Sequence, residues 1–151
     1  MADILLAEDN SADVYLIREA LQAYGVDCPI RLASDGQDVL RMISPAGSND
    51  GDHNLGLIIL DLNLPKHDGI EILQRLRENE RLAHVPVVIL TSSDSPRDRL
   101  IVTRLGAARY LRKPSKLDQF LGLGAIFKEL LAQPGSKLEA HESSEIPERS
   151  S

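Results

Sequence analysis

The sequence predicts an α/β fold, a three-layer sandwich in which a parallel sheet of five strands lies between two layers of helices. Three observations carry that expectation. Five short apolar runs are separated by stretches with helical spacing, so strand and helix alternate along the chain. Two of the runs, "LGLIIL" (55 to 60) and "VPVVIL" (85 to 90), are continuously apolar, as strands covered on both faces are. A chain of 151 residues, 42% hydrophobic and 26% charged, can build the core of one ordinary domain and has no room for a second.

The first strand is read at "DILLA" (3 to 7). Asn10 can then cap a helix whose Val14, Ile17, Leu21 and Tyr24 share one face, with Gly25 as its stop. The second strand is "PIRLA" (29 to 33), after which Ser34 and Gln37 stand at capping-box spacing before Val39, Leu40 and Ile43. A polar connection, "SPAGSNDGDHNLG" (44 to 56), leads to the third strand at 55 to 60. Asp68 and Glu71 repeat the capping spacing before Ile72, Leu73 and Leu76.

The fourth strand, at 85 to 90, is followed by Ser95-Pro96, read as N-cap and first residue of a helix that closes at Gly106. Leu100, Ile101, Val102 and Leu105 are too many for one buried stripe on that helix. "RYL" (109 to 111) is the fifth strand, and Ser115 is expected to open the last helix, with Leu117, Phe120, Leu121, Phe127 and Leu131 toward the core. Gly122 and Gly124 weaken the middle of that helix by about 1 kcal/mol each relative to alanine. The domain is therefore assigned to residues 1–132, and the polar residues 133–151 to a disordered tail.

Several function classes are excluded at this level. A formal net charge of -6 disfavours a nucleic-acid surface, because phosphate contacts need clustered Lys and Arg. The single cysteine, Cys28, forms no internal disulfide, is read as a small buried side chain, and fits a reducing compartment. The opening "MADILLAEDN" carries an acid at Asp3 and only a short apolar run, so no signal peptide or membrane span is expected and the protein is placed in the cytoplasm. His53, His67, His84 and His141 have no ligand spacing and are read as surface residues, as is Lys66 beside His67. "NDGDHN" lacks the glutamate that a calcium loop requires.

Ligands of open parallel sheets bind beyond the carboxyl ends of the strands. The strands here end in Glu8-Asp9, Asp61, Thr91-Ser92 and Lys113-Pro114. "LIILDLNLP" finishes a buried strand on a carboxylate, which must be compensated or protonated. Crowded carboxylates repel by about 4 kcal/mol per pair at contact distance in a medium of effective dielectric near 20. A hard divalent cation relieves this, and Mg2+ suits an all-oxygen donor set. Asp9 and Asp61 are its natural direct ligands, Glu8 can act through water, and the Asn63 carbonyl can complete the set; with no thiolate or paired histidine, zinc is not expected. A carboxylate beside Mg2+, with Lys113 and Thr91 opposite, can accept a phosphoryl group: Asp61 attacks in line, the cations neutralise the equatorial oxygens, and Thr91 hydrogen-bonds one of them.

"ED" after the first strand, "LDLNLPKHDG", "LTSS" and "LRKP", in that order across residues 1–132, resemble the receiver domain of two-component response regulators. The resemblance implies a flavodoxin-like sheet of order 2-1-3-4-5 and Mg2+-dependent phosphorylation of Asp61 by the phosphohistidine of a sensor histidine kinase. It also implies slow self-catalysed hydrolysis, a switch pair of Thr91 and Tyr110, and tuning of hydrolysis at Asn63 and Ser93; Ser92 stands where alanine is frequent. "AEDNSADVYLIREAL", the long loop and "LDLNLPKHDGIEIL" are most similar to small stand-alone regulators that partner bacterial phytochrome kinases.

Three other functions compete. A magnesium phosphatase working through an aspartyl phosphate usually has a second acid where this chain has Asn63. A flavin module wants a neutral or positive first turn, whereas "EDNSAD" is acidic. A receiver acting by binding alone shares every motif. No enzyme activity beyond the chain's own phosphorylation and dephosphorylation is expected. With little sequence after the fifth helix, output is expected through a downstream protein or a homodimer, using the face of helix 4, strand 5 and helix 5.

Overall fold

The computed structural model describes residues 2–44 and 54–132. Most of the polar connection expected at 44 to 56, the tail expected at 133–151, His53, His141 and most of the rejected calcium-loop segment lie outside the described residues. Five strands, β1 (Asp3–Ala7), β2 (Ile30–Ala33), β3 (Leu55–Leu60), β4 (Val87–Thr91) and β5 (Arg109–Arg112), form one sheet of order β2-β1-β3-β4-β5 with every pairing parallel. This is the order implied by the resemblance. Six helices follow the strands: α1 (Ser11–Ala23), α2 (Gly36–Ile43), α3 (Gly69–Glu78), α4 (Pro96–Arg104), α5 (Leu117–Leu121) and α6 (Gly124–Ala132).

The alternation of side chains along each strand divides the core in two. Leu5, Ala7, Ile58, Leu60, Val87 and Ile89 face one side, where they meet Val39, Ile72, Leu73, Leu76 and Val102 of α2, α3 and α4. Ile4, Leu6, Leu57, Ile59, Val88 and Leu90 face the other, where they meet Ile17, Leu21, Phe120, Phe127 and Leu130 of α1, α5 and α6. Between their ends the central strands run continuously apolar because both of their faces are covered. Each such buried side chain contributes about 1.5–3 kcal/mol.

The helix boundaries follow local chemistry, with three corrections. Asn10 and Ser95 cap α1 and α4 by accepting from the backbone N–H of Asp13 and Asp98. Gly25 (φ 73°) and Gly106 (φ 87°) take the left-handed conformation that ends those two helices. At α2 the cap is Asp35 instead of Ser34, because the Asp35 side chain receives the N–H of Asp38 while Ser34 gives its own N–H to the Asp38 carboxylate. Asp68 caps α3 through Ile70, but Glu71 does not close a capping box; it turns to His67 and Arg75. Lys116, not Ser115, precedes α5 and makes no side-chain cap.

The expected fifth helix is interrupted after Leu121 and resumes as α6. The close approach of α1 explains Gly124: a Cβ there would lie 2.1 Å from the Ala20 carbonyl oxygen and 2.6 Å from the Tyr24 ring. Phe120 and Phe127 are buried as expected, but Leu130 replaces Leu131 in the core and Leu117 is exposed. Tyr24 and Cys28, read from sequence as inward-facing, are respectively exposed and half-buried.

Candidate phosphoacceptor site

Extension of the sheet ladder by single residues beyond the strand ends assembles the site. The N–H of Glu8 donates to Ala33 O, that of Asp61 to Ala7 O, and that of Lys113 to Thr91 O. These bonds bring Glu8, Asp61, Thr91 and Lys113 to one end of three neighbouring strand pairs, although Glu8 and Lys113 are more than a hundred residues apart in sequence.

Glu8 and Asp61 are 2% and 5% exposed, whereas Asp9 faces solvent. One carboxylate oxygen from each lies within 4.8 Å of the others. The Lys113 ammonium stands among acids, 2.9 Å from Asp61 Oδ2, 2.9 Å from Glu8 Oε1 and 2.7 Å from Asp13 Oδ2. Asp61 Oδ1 also accepts the backbone N–H of Asn63 at 2.9 Å. Burial works against the charge on Lys113, but its hydrogen bonds to Asp13, Asp61 and Glu8 outweigh it and raise the pKa above the ordinary lysine value.

Burial, followed by the neighbouring charge of Asp61, pushes Glu8 up to about 7 against the downward pull of Lys113 and the Asn10 N–H. An acid whose proton is held more tightly in the folded state favours folding at low pH. In metal-free protein, stability from this group therefore falls as pH rises from about 4.5 to about 7 and levels off above. Urea unfolding in EDTA at pH 5, 6, 7 and 8 checks this: Glu8→Gln should flatten that part of the profile, and parallel wild-type and variant profiles would contradict it.

A chain of polar contacts leads from Asp61 to the far side of the sheet. Asn63 Nδ2 donates to Thr91 Oγ1 at 3.1 Å, the Ser93 N–H approaches the same hydroxyl at 3.4 Å, and the Tyr110 hydroxyl donates to Ser93 O at 3.4 Å. Thr91 is fully buried and Tyr110 nearly so, with Arg99 of α4 over the Tyr110 ring at 4.6 Å from its centroid. The structure thus gathers Glu8, Asp9, Asp61 and Lys113 at the strand ends and links Thr91 and Tyr110 to them through Asn63 and Ser93. Sequence reading missed Asp13 and Arg99. Asp13 was visible only as one more acid in the first turn of a helix, and nothing local pairs it with Lys113. Lys66 is exposed, as read, and lies 3.3 Å from Asp35, whereas His67 is half-buried and lies 3.4 Å from Glu71.

The donor set fits a hard cation. It is all oxygen, and three carboxylates converge beside a single ammonium, that of Lys113. No helix among the described residues is long and apolar enough to cross a membrane.

Comparison with known proteins gives consistent matches. Residues 4–123 match the response regulator receiver domain family. The response regulator Rcp1 of Synechocystis sp. is 32% identical over 137 residues, covering 88% of this chain and 93% of Rcp1. Among solved structures, the phosphorylated cyanobacterial phytochrome response regulator RcpA is similar with a TM-score of 0.79 and 32% identity, covering 87% of this chain and 94% of RcpA. The Mn(2+)-bound form of Rcp1 is similar with a TM-score of 0.77 and 32% identity, covering 85% of this chain and 93% of that one.

Proposed function

Because this chain belongs to the response regulator receiver domain family, whose known function is phosphorylation on aspartate by a histidine kinase, we propose that its phosphoacceptor is Asp61. The observation that carries this reading is the 2.9 Å contact of Lys113 Nζ with Asp61 Oδ2, inside a cluster of Glu8, Asp9 and Asp61 oxygens. In the reaction an Asp61 oxygen forms a bond to phosphorus while the phosphorus–nitrogen bond to the kinase histidine breaks. The imidazole keeps that electron pair and takes up a proton. Lys113 neutralises charge on the arriving oxygens, and the Thr91 hydroxyl, released from Asn63, donates to one of them.

Glu8, Asp9, Asp61 and the Asn63 carbonyl would hold a divalent cation, for which we propose Mg2+. When bound, it supplies electrostatic neutralisation of the transferring group. Hydrolytic transfer of the phosphoryl group from Asp61 to water, releasing inorganic phosphate, is the only turnover we assign. The amide of Asn63 donates to Thr91 and offers no acid, which disfavours the phosphatase reading.

The partner we infer is a sensor histidine kinase of the phytochrome type, met in the cytoplasm, since RcpA is a phytochrome response regulator. Movement of Thr91 toward the phosphoryl group frees space beside Tyr110, so α4, β5 and α5 form the output face toward a downstream protein or a second copy. Leu100, half-exposed on α4, belongs to that face. An unchanged monomer in sedimentation with and without beryllofluoride would remove the second copy.

Phosphotransfer from the radiolabelled kinases of the source organism tests the whole reading. Wild type should take label in Mg2+ and not in EDTA, and Asp61→Asn should take none. Undiminished labelling of that variant would overturn it.

A further inference from the structure

Lys113 is gripped by three carboxylates, of which only Glu8 and Asp61 belong to the cation-binding cluster. An ammonium has three N–H donors and no acceptor, and the third partner here, at 2.7 Å, is Asp13. Asp13 comes from the first turn of α1 and lies outside the Glu8, Asp9, Asp61 cluster. Its place is fixed by Asn10, which accepts the Asp13 N–H at 3.0 Å and gives its own N–H to Glu8 at 3.1 Å. The turn that carries Asp13 is therefore tied to the same strand end that it serves.

We propose that Asp13 is a positioning residue for phosphoryl transfer, holding the Lys113 ammonium beside Asp61 while the other two partners of that ammonium change their bonding. The proposal rests on Asp61 being the phosphoacceptor. With acetyl phosphate as donor, an Asp61 oxygen bonds phosphorus, the bond from phosphorus to the acetyl oxygen breaks, and acetate leaves with the electron pair. Asp61 then exchanges a carboxylate charge for the mixed anhydride bond of an acyl phosphate, and Glu8 belongs to the group of carboxylates that would hold the cation. Asp13 takes part in neither change. A lysine on a flexible four-carbon stem needs such a fixed anion to keep one donor occupied and another directed at the arriving oxygens.

The full chain and acetyl phosphate, with Mg2+ titrated from limiting to saturating, provide the test, with phosphorylated protein counted by intact mass. Asp13→Asn keeps the backbone N–H that Asn10 caps, and its thermal unfolding reports whether the fold is retained. It should be phosphorylated about tenfold more slowly than wild type, the effect of misplacing one charged hydrogen-bond donor. Asp13→Glu should fall between the two. In a Lys113→Ala background, adding Asp13→Asn should change nothing, because the residue acts through Lys113.

Four results would overturn the proposal: a wild-type rate for Asp13→Asn, a rate for Asp13→Glu no better than for Asp13→Asn, an undiminished effect in the Lys113→Ala background, or a defect that saturating Mg2+ abolishes. The last would make Asp13 a member of the cation cluster. A wild-type protein that takes no phosphoryl group sinks the phosphoacceptor reading itself, whereas an active wild type with an indifferent Asp13→Asn sinks only the role of Asp13.

Discussion

Lys113→Met will slow phosphoryl uptake by about 10²- to 10³-fold, the effect of removing one preorganised donor to developing oxygen charge. In metal-free protein at pH 8 it will also cost about 3–5 kcal/mol of stability, because breaking a buried ion pair leaves its partners uncompensated. Both effects have one cause. The ammonium is the cation paired with Glu8 and Asp61, both nearly inaccessible to water, and methionine keeps the length of the stem while removing the charge. The stability loss should shrink toward pH 5, where Glu8, with its pKa near 7, carries a proton. Added Mg2+ should recover much of the stability and little of the rate, since it can neutralise the acids without replacing a donor on the far side of the phosphoryl group. Urea unfolding with EDTA or Mg2+, together with intact-mass kinetics, separates the two. A variant as fast as wild type, or as stable in EDTA at pH 8, contradicts this account of the site.

Gly124→Ala will destabilise the protein by about 3 kcal/mol, at the upper end of overpacking costs. Helix propensity alone gives the opposite sign, since alanine is favoured over glycine by up to about 1 kcal/mol, less at a first helical residue such as Gly124 than in an interior. The sign is set by α1, whose Ala20 backbone oxygen would lie 2.1 Å from the new methyl carbon. Backbone cannot rotate aside as a side chain does, so α1 and α6 must separate and loosen the layer built on Ile17, Leu21 and Phe127. Gly122→Ala is the control. Its added Cβ meets nothing nearer than the Gln119 carbonyl oxygen at 3.4 Å, and its backbone is right-handed helical, so it should be neutral or stabilising by up to about 1 kcal/mol. Thermal and urea unfolding of the two variants decide the matter; equal effects of the same sign would show that the interhelical approach does not govern Gly124.

These two positions mark where the sequence was legible and where it was not. Continuous apolar runs at residues 55–60 and 85–90 could only be strands with helices on both faces, and the structure divides them residue by residue between two cores. Asp61, Thr91 and Lys113 were legible because a polar group that ends a buried strand needs a reason, and strand ends of a parallel sheet share one rim. Gly124, by contrast, looked like a weak point in a helix, because its purpose is the closeness of a helix a hundred residues away. Asp13 was not singled out from the sequence, because its partner Lys113 is equally remote. Ser34 was read as the cap of α2, and the fold of the turn gives that place to its neighbour Asp35, a residue type equally able to cap. Chemistry carried by strand termini is written locally; chemistry that depends on how two helices lie across the sheet is not.

The most direct test of the central claim, that Asp61 carries the phosphoryl group, is chemical mapping of the phosphorylated residue. Wild-type protein phosphorylated in Mg2+ is treated with borohydride, which reduces an acyl phosphate to the corresponding alcohol, and its peptides are sequenced by mass spectrometry. Homoserine at position 61, absent when the donor is omitted and absent in Asp61→Asn, is the predicted result. Reduction at Asp9, at Asp13 or at any other acid, or a phosphoryl group found on a residue that borohydride leaves untouched, would contradict it.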